Sequence, residues 1–264
     1  MYKRQIAYRI LRDPAELEAV VSLQLTVWGL NPRNAVPTAV LHVMALNGGL
    51  VVGAYDGDRL VGLLISLAVK RDNEVFLWSH MTGTHPDYQQ QGIGLTLKTF
   101  QRNWALDNGY TSIGWTFDPL QRGNAWFNLH LLGIDAALTS TAYHVNFYGD
   151  MDDDINRGLP SDRVEVRWML DQPSLHHAPI PDAPLIVRPD ERGYPVTTAV
   201  AWDCDNYSVA VPADLDALRQ TDRNVLLEWR LAVREAMKSA FERGYRAVDF
   251  SKDNGLNVYH LRKT

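Results

Sequence analysis

The sequence contains one cysteine, Cys204, in 264 residues. That excludes an intramolecular disulfide and any metal site made of several thiolates, and it suits a reducing compartment. Long apolar runs are missing too. The longest, Leu60 to Val69, is interrupted by Gly62 and Ser66 and falls short of the roughly 20 residues that a membrane-crossing helix needs. Met1 to Ile10 scatters Lys3, Arg4 and Arg9 among apolar residues, without an apolar centre or a small-residue cleavage site, so no signal peptide is read there. Nor is there a positive excess: 26 Lys and Arg face 31 Asp and Glu, a net charge of −5, which argues against binding along a phosphate backbone. The expectation is a cytoplasmic, soluble chain with neither nucleic-acid nor membrane partners. What is present is 46% hydrophobic and 10% aromatic side chains, enough for one large core or two modest ones.

Strand and helix cues alternate. Tyr8 to Leu11 reads as a short strand; Asp13 caps a helix opened by Pro14, with Leu17, Val20, Val21, Gln24 and Trp28 at helical spacing and Gly29 at its end. A second helix is expected from Thr38 to Leu46, after Pro37. Leu50 to Tyr55 and Arg59 to Val69 are strands joined by Asp56-Gly57-Asp58, a tight-turn signal, and Glu74 to Thr84 completes an antiparallel meander. Past a polar loop, a helix carrying Leu97, Phe100, Gln101 and Trp104 on one side ends at Asn108-Gly109, and a strand, Thr111 to Phe117, follows. A crossover of that length makes the flanking strands parallel neighbours. A short helix over Asn124 to Leu132 and strands near Ala142 to Phe147 and Val164 to Leu170 close an α/β unit of residues 1–172. Six of the thirteen prolines then fall between Pro173 and Pro195, so 173–205 reads as an irregular connection. Residues 206–264 read as a smaller α+β region: a strand at Asn206 to Val211, a long helix capped by Asp222 and ending at Gly244, and strands at Tyr245 to Ser251 and Asn257 to Arg262. This region is either a domain of its own or an extension of the first sheet. The fold class is therefore α/β (α+β), a mixed and mostly antiparallel sheet flanked by helices.

The informative stretch is Trp78-Ser79-His80-Met81-Thr82-Gly83-Thr84-His85-Pro86-Asp87-Tyr88-Gln89-Gln90-Gln91-Gly92-Ile93-Gly94-Leu95. Two glycines let the backbone approach a ligand closely, and the helix that follows aims unpaired N–H groups and its positive dipole end at it, which makes an anion cradle. The nucleoside-triphosphate loop and the dinucleotide fingerprint both fail, the latter because residue 97 is Leu. Gln89-x-x-Gly92-x-Gly94 after a strand instead resembles the coenzyme A motif of the GNAT superfamily of acyl-CoA N-acyltransferases. The likeness extends through Trp115 to Leu120, Asn124-Ala125, Asn128, Asn146 to Gly149, Leu159 to Arg163, Val211 to Asp214 and Glu228-Trp229-Arg230, to a bacterial branch of predicted acetyltransferases with a C-terminal extension. It implies acetyl-CoA, or another acyl-CoA, as cosubstrate. The pyrophosphate would be held by backbone N–H groups of Gln90, Gln91, Gly92, Ile93, Gly94 and Leu95, with Gln89 opening the motif. The pantetheine arm would pair with the end of the preceding strand at Met81, Thr82, Gly83 and Thr84. Asn124 and Asn128, one helical turn apart, are candidate contacts to cofactor or substrate, with capping as their equally weighted structural role. The reaction implied is direct attack by a primary amine of a small molecule or amino acid on the thioester.

Many relatives carry a tyrosine four residues before the last motif glycine, where it protonates the departing thiolate; counting back from Gly133 gives Leu129. Tyr148, or else Tyr143, is the candidate replacement, the remaining alternative being that the thiolate, with a thiol pKa near 8.5, leaves unassisted. For the general base, His80 is the choice: it sits on the strand leading to the cradle, has an intrinsic pKa near 6.5, and shares strand parity with Trp78 and Thr82. Glu74 and Asp118 are fallbacks. Arg163, Arg230 and Arg234 are free either to pair with carboxylates or to reach an anionic acceptor, and Trp229 reads as core. The histidines are scattered and Cys204 is flanked by negative charge, so no metal and no thiol nucleophile is expected. A non-catalytic acyl-CoA sensor is the alternative reading, and a homodimer through the C-terminal region is left open.

Overall fold

The computed structural model describes residues 5–133, 142–151, 158–172, 180, 183–221, 223–253 and 255–264. The chain packs as two compact units: one takes the residues up to Trp115 together with Met169–Asp171, the other Thr116–Met151, Gly158–Trp168 and Gln172–Thr264. This division by packing falls at a different place from the sequence division at 172.

The first unit runs β1 (Ile6–Ile10), α1 (Pro14–Trp28), α2 (Thr38–Leu46), β2 (Leu50–Asp56), β3 (Arg59–Arg71), β4 (Glu74–Thr84), α3 (Ile93–Asp107) and β5 (Ser112–Phe117), the last entering it as far as Trp115. Local chemistry sets the ends of α1: Asp13 Oδ1 accepts from the Ala15 N–H at 2.8 Å, Pro14 opens the first turn, and Gly29 closes it in the left-handed region. Strands β1 to β4 pair antiparallel in sequence order, and β5 lies parallel to β4. On one face Leu17 and Val20 of α1 and Leu41 of α2 pack on Val51, Leu63 and Ile65. On the other, Ile93 and Leu97 of α3 pack on Leu50, Val52, Ala54 and Leu64.

Two irregularities of β4 place the site. Ser66 of β3 pairs with Ser79, but the next residue back, Ile65, pairs with Met81. His80 is thus the extra residue of a β-bulge. The bulge overturns the expected parity. Trp78 is opposite Leu67 and Thr82 is opposite Leu64, three residues apart on β3, so they lie on opposite faces of the sheet. Second, the pairing of β4 with β5 covers only Leu77–Ile113 and Trp78–Gly114. Beyond Trp78, that edge of β4 has no strand partner within this unit among the described residues.

The second unit contains α4 (Arg122–Ala125), a π-helical turn over Trp126–Leu131, β6 (Ala142–His144) antiparallel to β7 (Arg163–Met169), then β8 (Leu185–Pro189), β9 (Pro195–Thr197), β10 (Asn206–Val211), α5 (Leu215–Thr221), α6 (Arg223–Glu242), β11 (Tyr245–Asp253) and β12 (Leu256–Lys263). A five-stranded sheet has the order β11-β12-β10-β8-β9, with β8 parallel to β10 and the other pairs antiparallel. The C-terminal region therefore has a sheet of its own. Leu226, Trp229, Val233, Met237 and Ala240 of α6 are buried, and the Trp229 indole N–H donates to the Gly193 carbonyl at 2.8 Å. Three readings need correction. The stretch 173–205 is not wholly irregular, because β8 and β9 lie in it; a strand with Pro at its last or first position leaves its ladder intact. The helix expected over Asn124 to Leu132 is a short α-turn followed by a π-turn. The strand expected through Phe147 stops at His144, where Asn146 adopts a φ of 49° and the Phe147 N–H turns to the Ser161 carbonyl. The cap expected of Asp222 lies outside the described residues.

Candidate active site

After Thr84 the chain makes one short 3₁₀ turn, Pro86–Tyr88, and enters α3 through Gln89 to Gly92. The loop is fastened underneath: Tyr88 is buried, and its hydroxyl donates to Asp56 Oδ2 at 2.8 Å. Above, it is open. Gln90 and Gly92 both have positive φ, 60° and 80°, and a Cβ on Gly92 would meet nothing within 4 Å. The α3 N-terminus has no side-chain cap, and the first helical N–H to find a backbone carbonyl is that of Thr96, bonded to Gly92. Among the described residues, the N–H groups of Gln90, Gln91, Gly92, Ile93, Gly94 and Leu95 donate to no backbone carbonyl. Six uncommitted donors at the positive end of a 15-residue helix form a cradle for a diphosphate.

The strand leading into this loop is shaped for an extended ligand. One edge of Met81–Thr84 pairs with Gly62–Ile65 of β3, and the other is the open edge described above. An extended amide-bearing chain can add to such an edge as a further strand would. Gly83 is fixed by packing: a Cβ there would lie 2.6 Å from the Trp28 ring and 2.9 Å from Val27. The donor set and the open edge fit the pyrophosphate and pantetheine of an acyl-CoA.

His80 lies where the open edge begins. It is partly buried, and burial holds its pKa below the ordinary 6.5, so the imidazole is neutral at neutral pH. Beside it lies a group that sequence reasoning missed. Lys98 of α3 is 3% exposed; its Nζ donates to Ser79 Oγ at 2.9 Å and Gln101 Oε1 at 3.1 Å, and sits 3.7 Å from the centre of the Trp115 ring. Gln101 Nε2 in turn donates to Ser66 Oγ at 2.7 Å. Burial alone brings the Lys98 ammonium down to about 7. The available signal was two serines, Ser66 and Ser79, each directly after an apolar run of its strand, matched by Lys98 and Gln101 one helical turn apart on the inward side of α3.

The remaining candidates, Glu74 apart, belong to the second unit. Tyr148 is 43% exposed, with its hydroxyl 3.4 Å from Thr116 Oγ1 and the Arg163 guanidinium over its ring. Tyr143 is committed elsewhere: it donates to Asp162 Oδ2 at 2.8 Å, and burial followed by the Asp162 charge drives its pKa far up. Asp118 is held by Arg230 in a bidentate pair of 2.6 and 2.8 Å, and Asp162 by Arg234 at 2.8 and 2.9 Å. These arginines pair with carboxylates, the first of the two roles left open for them. Asn124 is exposed and Asn128 buried, so the π-turn gives them different surroundings. Glu74 is exposed at the far end of β4. His130 pairs with Asp249 and His144 with Glu165. Among the described residues, no three His, Cys, Asp or Glu side chains are grouped to hold a metal ion, and no helix is long and apolar enough to cross a membrane.

No protein-family model matches the sequence, and no curated protein sequence matches it. The solved structures to which the chain is similar include GNAT-family N-acetyltransferases. An N-acetyltransferase from Staphylococcus aureus Mu50 aligns at 17% identity over 64% of this chain and 99% of that one, with a TM-score of 0.47. The ribosomal-protein-S18-alanine N-acetyltransferase of Escherichia coli aligns at 14% over 66% and 99%, TM-score 0.48. An aminoglycoside acetyltransferase from an uncultured soil metagenomic sample aligns at 17% over 47% and 84%, TM-score 0.42.

Proposed function

We propose that the protein is a cytoplasmic acyl-CoA-dependent N-acyltransferase, with acetyl-CoA as the default donor and a primary amine of a small molecule or amino acid as acceptor, its catalytic machinery lying within residues 1–172. The observation that carries this reading is the pairing, within one unit, of six undonated N–H groups at Gln90–Leu95 with the open edge of Met81–Thr84. The first takes the diphosphate, Gln89 shapes the entry, and the second aligns the pantetheine amides. The bound acyl-CoA supplies an activated carbonyl; everything else is the work of the chain. A backbone N–H of the open edge stabilises the oxygen of that carbonyl as charge develops on it. His80, kept neutral by burial, takes the proton released by the attacking amine. Tyr148 is the sequence-derived candidate for returning a proton to the leaving group, and Asn124 and Asn128 for orienting the substrate.

The test is free-thiol release from acetyl-CoA and succinyl-CoA against pooled amino acids, polyamines and peptide N-termini. Turnover that is lost in His80→Ala, with CoA affinity unchanged, supports both the activity and the role of His80. The second reading, an acyl-CoA sensor without turnover, draws on Leu129, which is a buried apolar residue where relatives carry the acid. Tight CoA binding with no thiol release from any pool would establish it instead.

A further inference from the structure

We propose that Lys98 is the proton donor to the departing CoA thiolate, an inference that rests on the acyl-transfer reading above. The geometry comes from where the two strands part. Trp78 and Gly114 are the last paired residues of β4 and β5, so Ser79 and Trp115 are the first residue on each strand past the junction. Lys98 Nζ touches both, at 2.9 Å from Ser79 Oγ and 3.7 Å from the Trp115 ring centre. It occupies the vertex of the opening. The loop after Thr84 fixes the diphosphate end of the ligand, so the thioester end falls at the other limit of the open edge, at Ser79 and His80.

The surroundings of Lys98 suit an acid that is ready to lose its proton. Among the described residues no carboxylate compensates its charge: β2 and β3 present Val52, Ala54, Leu64 and the Ser66 hydroxyl to α3, β5 presents Trp115, and α3 itself adds Gln101. In β4 the titratable residue next to Ser79 in the sequence is His80. Tyr88, across the apolar cluster, is already bonded to Asp56, and Arg102 to the Leu170 carbonyl. A buried ammonium with only neutral partners is costly to keep charged, and burial brings it to about 7. A CoA thiol ionises near 8.5, about 1.5 units higher, so the transfer is downhill. In the step itself the amine lone pair forms the C–N bond and the C–S bond breaks with its electron pair going to sulfur. The Lys98 proton then moves to that sulfur and leaves a neutral amine, while His80 holds the proton of the attacking amine. Lys98 is recharged from solvent on product exit.

The experiment follows kcat and CoA affinity of the full-length protein across pH. In the wild type kcat is expected to fall as pH rises through about 7, where Lys98 loses its proton, while CoA affinity stays level. In Lys98→Met, or in Lys98→Gln if the Met variant does not fold, kcat drops by about 10² or more and the alkaline fall disappears. An unchanged kcat in Lys98→Met, or an alkaline fall retained in Lys98→Met but lost in Tyr148→Phe, would overturn the assignment and leave the transferase reading standing. Failure of the wild type to bind CoA would overturn both.

Discussion

At the scale of single residues, the proposed chemistry uses two groups whose pKa burial lowers, His80 as base and Lys98 as acid, and their pH signatures differ in sign. His80 acts as base only when neutral, and burial lowers its pKa below 6.5, so kcat is expected to fall as pH drops through a value under 6.5. His80→Ala should lower kcat by about 10² to 10⁴ and abolish that acid limb, checked by steady-state rates from pH 5 to 9. Lys98 also leaves a mark on stability. Its folded pKa of about 7 lies below the ordinary lysine value of 10.5, so between the two the unfolded chain binds more protons and stability rises with pH. Wild type should therefore gain on Lys98→Met as pH goes from 7 to 10, measured as the difference in Tm of the two proteins. His80 was legible in the sequence because a histidine on the strand before a glycine loop is a chemical oddity there. Its face was not legible, since the bulge that sets it is a matter of pairing between strands. Lys98 was invisible because a lysine on a helix ordinarily marks a solvated face, and only the two serines on the facing strands say otherwise.

At the scale of elements, what could be read locally was read well. The helices Pro14–Trp28 and Thr38–Leu46, the Asp56-Gly57 hairpin and the strand Glu74–Thr84 follow from caps and turns whose chemistry lies within four residues. The short α5 carries such a signal in Asp214, whose Oδ1 accepts from the Asp216 and Ala217 N–H groups, but sequence reading did not use it, and β8 and β9 were hidden by the prolines at their ends. The packing of α1 against β4 gives a test of the open edge. Gly83→Ala would drive a Cβ into the Trp28 ring at 2.6 Å, and overpacking of this kind typically costs about 1 to 3 kcal/mol. Urea unfolding should show that loss, together with weaker CoA binding as the strand shifts. Gly92→Val meets no such obstruction, but its φ of 80° is strained for a branched side chain. It is expected to weaken CoA binding about tenfold or more by redirecting the cradle N–H groups, since a hydrogen bond to a charged diphosphate is worth about 1.5 to 3 kcal/mol. Calorimetric titration with CoA checks this.

At the scale of the whole chain, charge pairs bind distant sequence together inside the second unit. Asp118 meets Arg230, Asp162 meets Arg234, and the Tyr259 hydroxyl donates to the Pro119 carbonyl at 2.7 Å. Asp118 and Asp162 are buried, the latter at 0% exposure. A fragment ending at residue 172 keeps both carboxylates and loses both arginines, and leaving a buried charge uncompensated costs about 3 to 5 kcal/mol per pair. Such a fragment is expected to lose the packing around Asp118 and Asp162, seen as collapsed amide dispersion in NMR. Asp162 carries a pH consequence as well. Burial pushes its pKa up, but Arg234, the Asn146 N–H and Tyr143 pull it lower, to a net value under the ordinary 3.8. Its contribution is therefore complete above pH 4 and drains away as acid protonates it, so the wild type should lose more stability than Asp162→Asn between pH 4 and 2. These pairings join residues more than a hundred positions apart in one case and seventy in the other, which is why sequence could name the arginines without choosing their partners.

The extra residue in β4 has one more consequence. In the language of crystals it is a dislocation: on either side of His80 the strand is in good register with β3, but the two halves are out of phase by one residue. A dislocation cannot be healed by small vibrations. It can only be expelled by sliding one half a full step, and that step would turn every side chain from Met81 to Thr84 onto the wrong face of the sheet. The mouth of the site is therefore guarded by counting, and it should hold its shape until the strand itself comes apart.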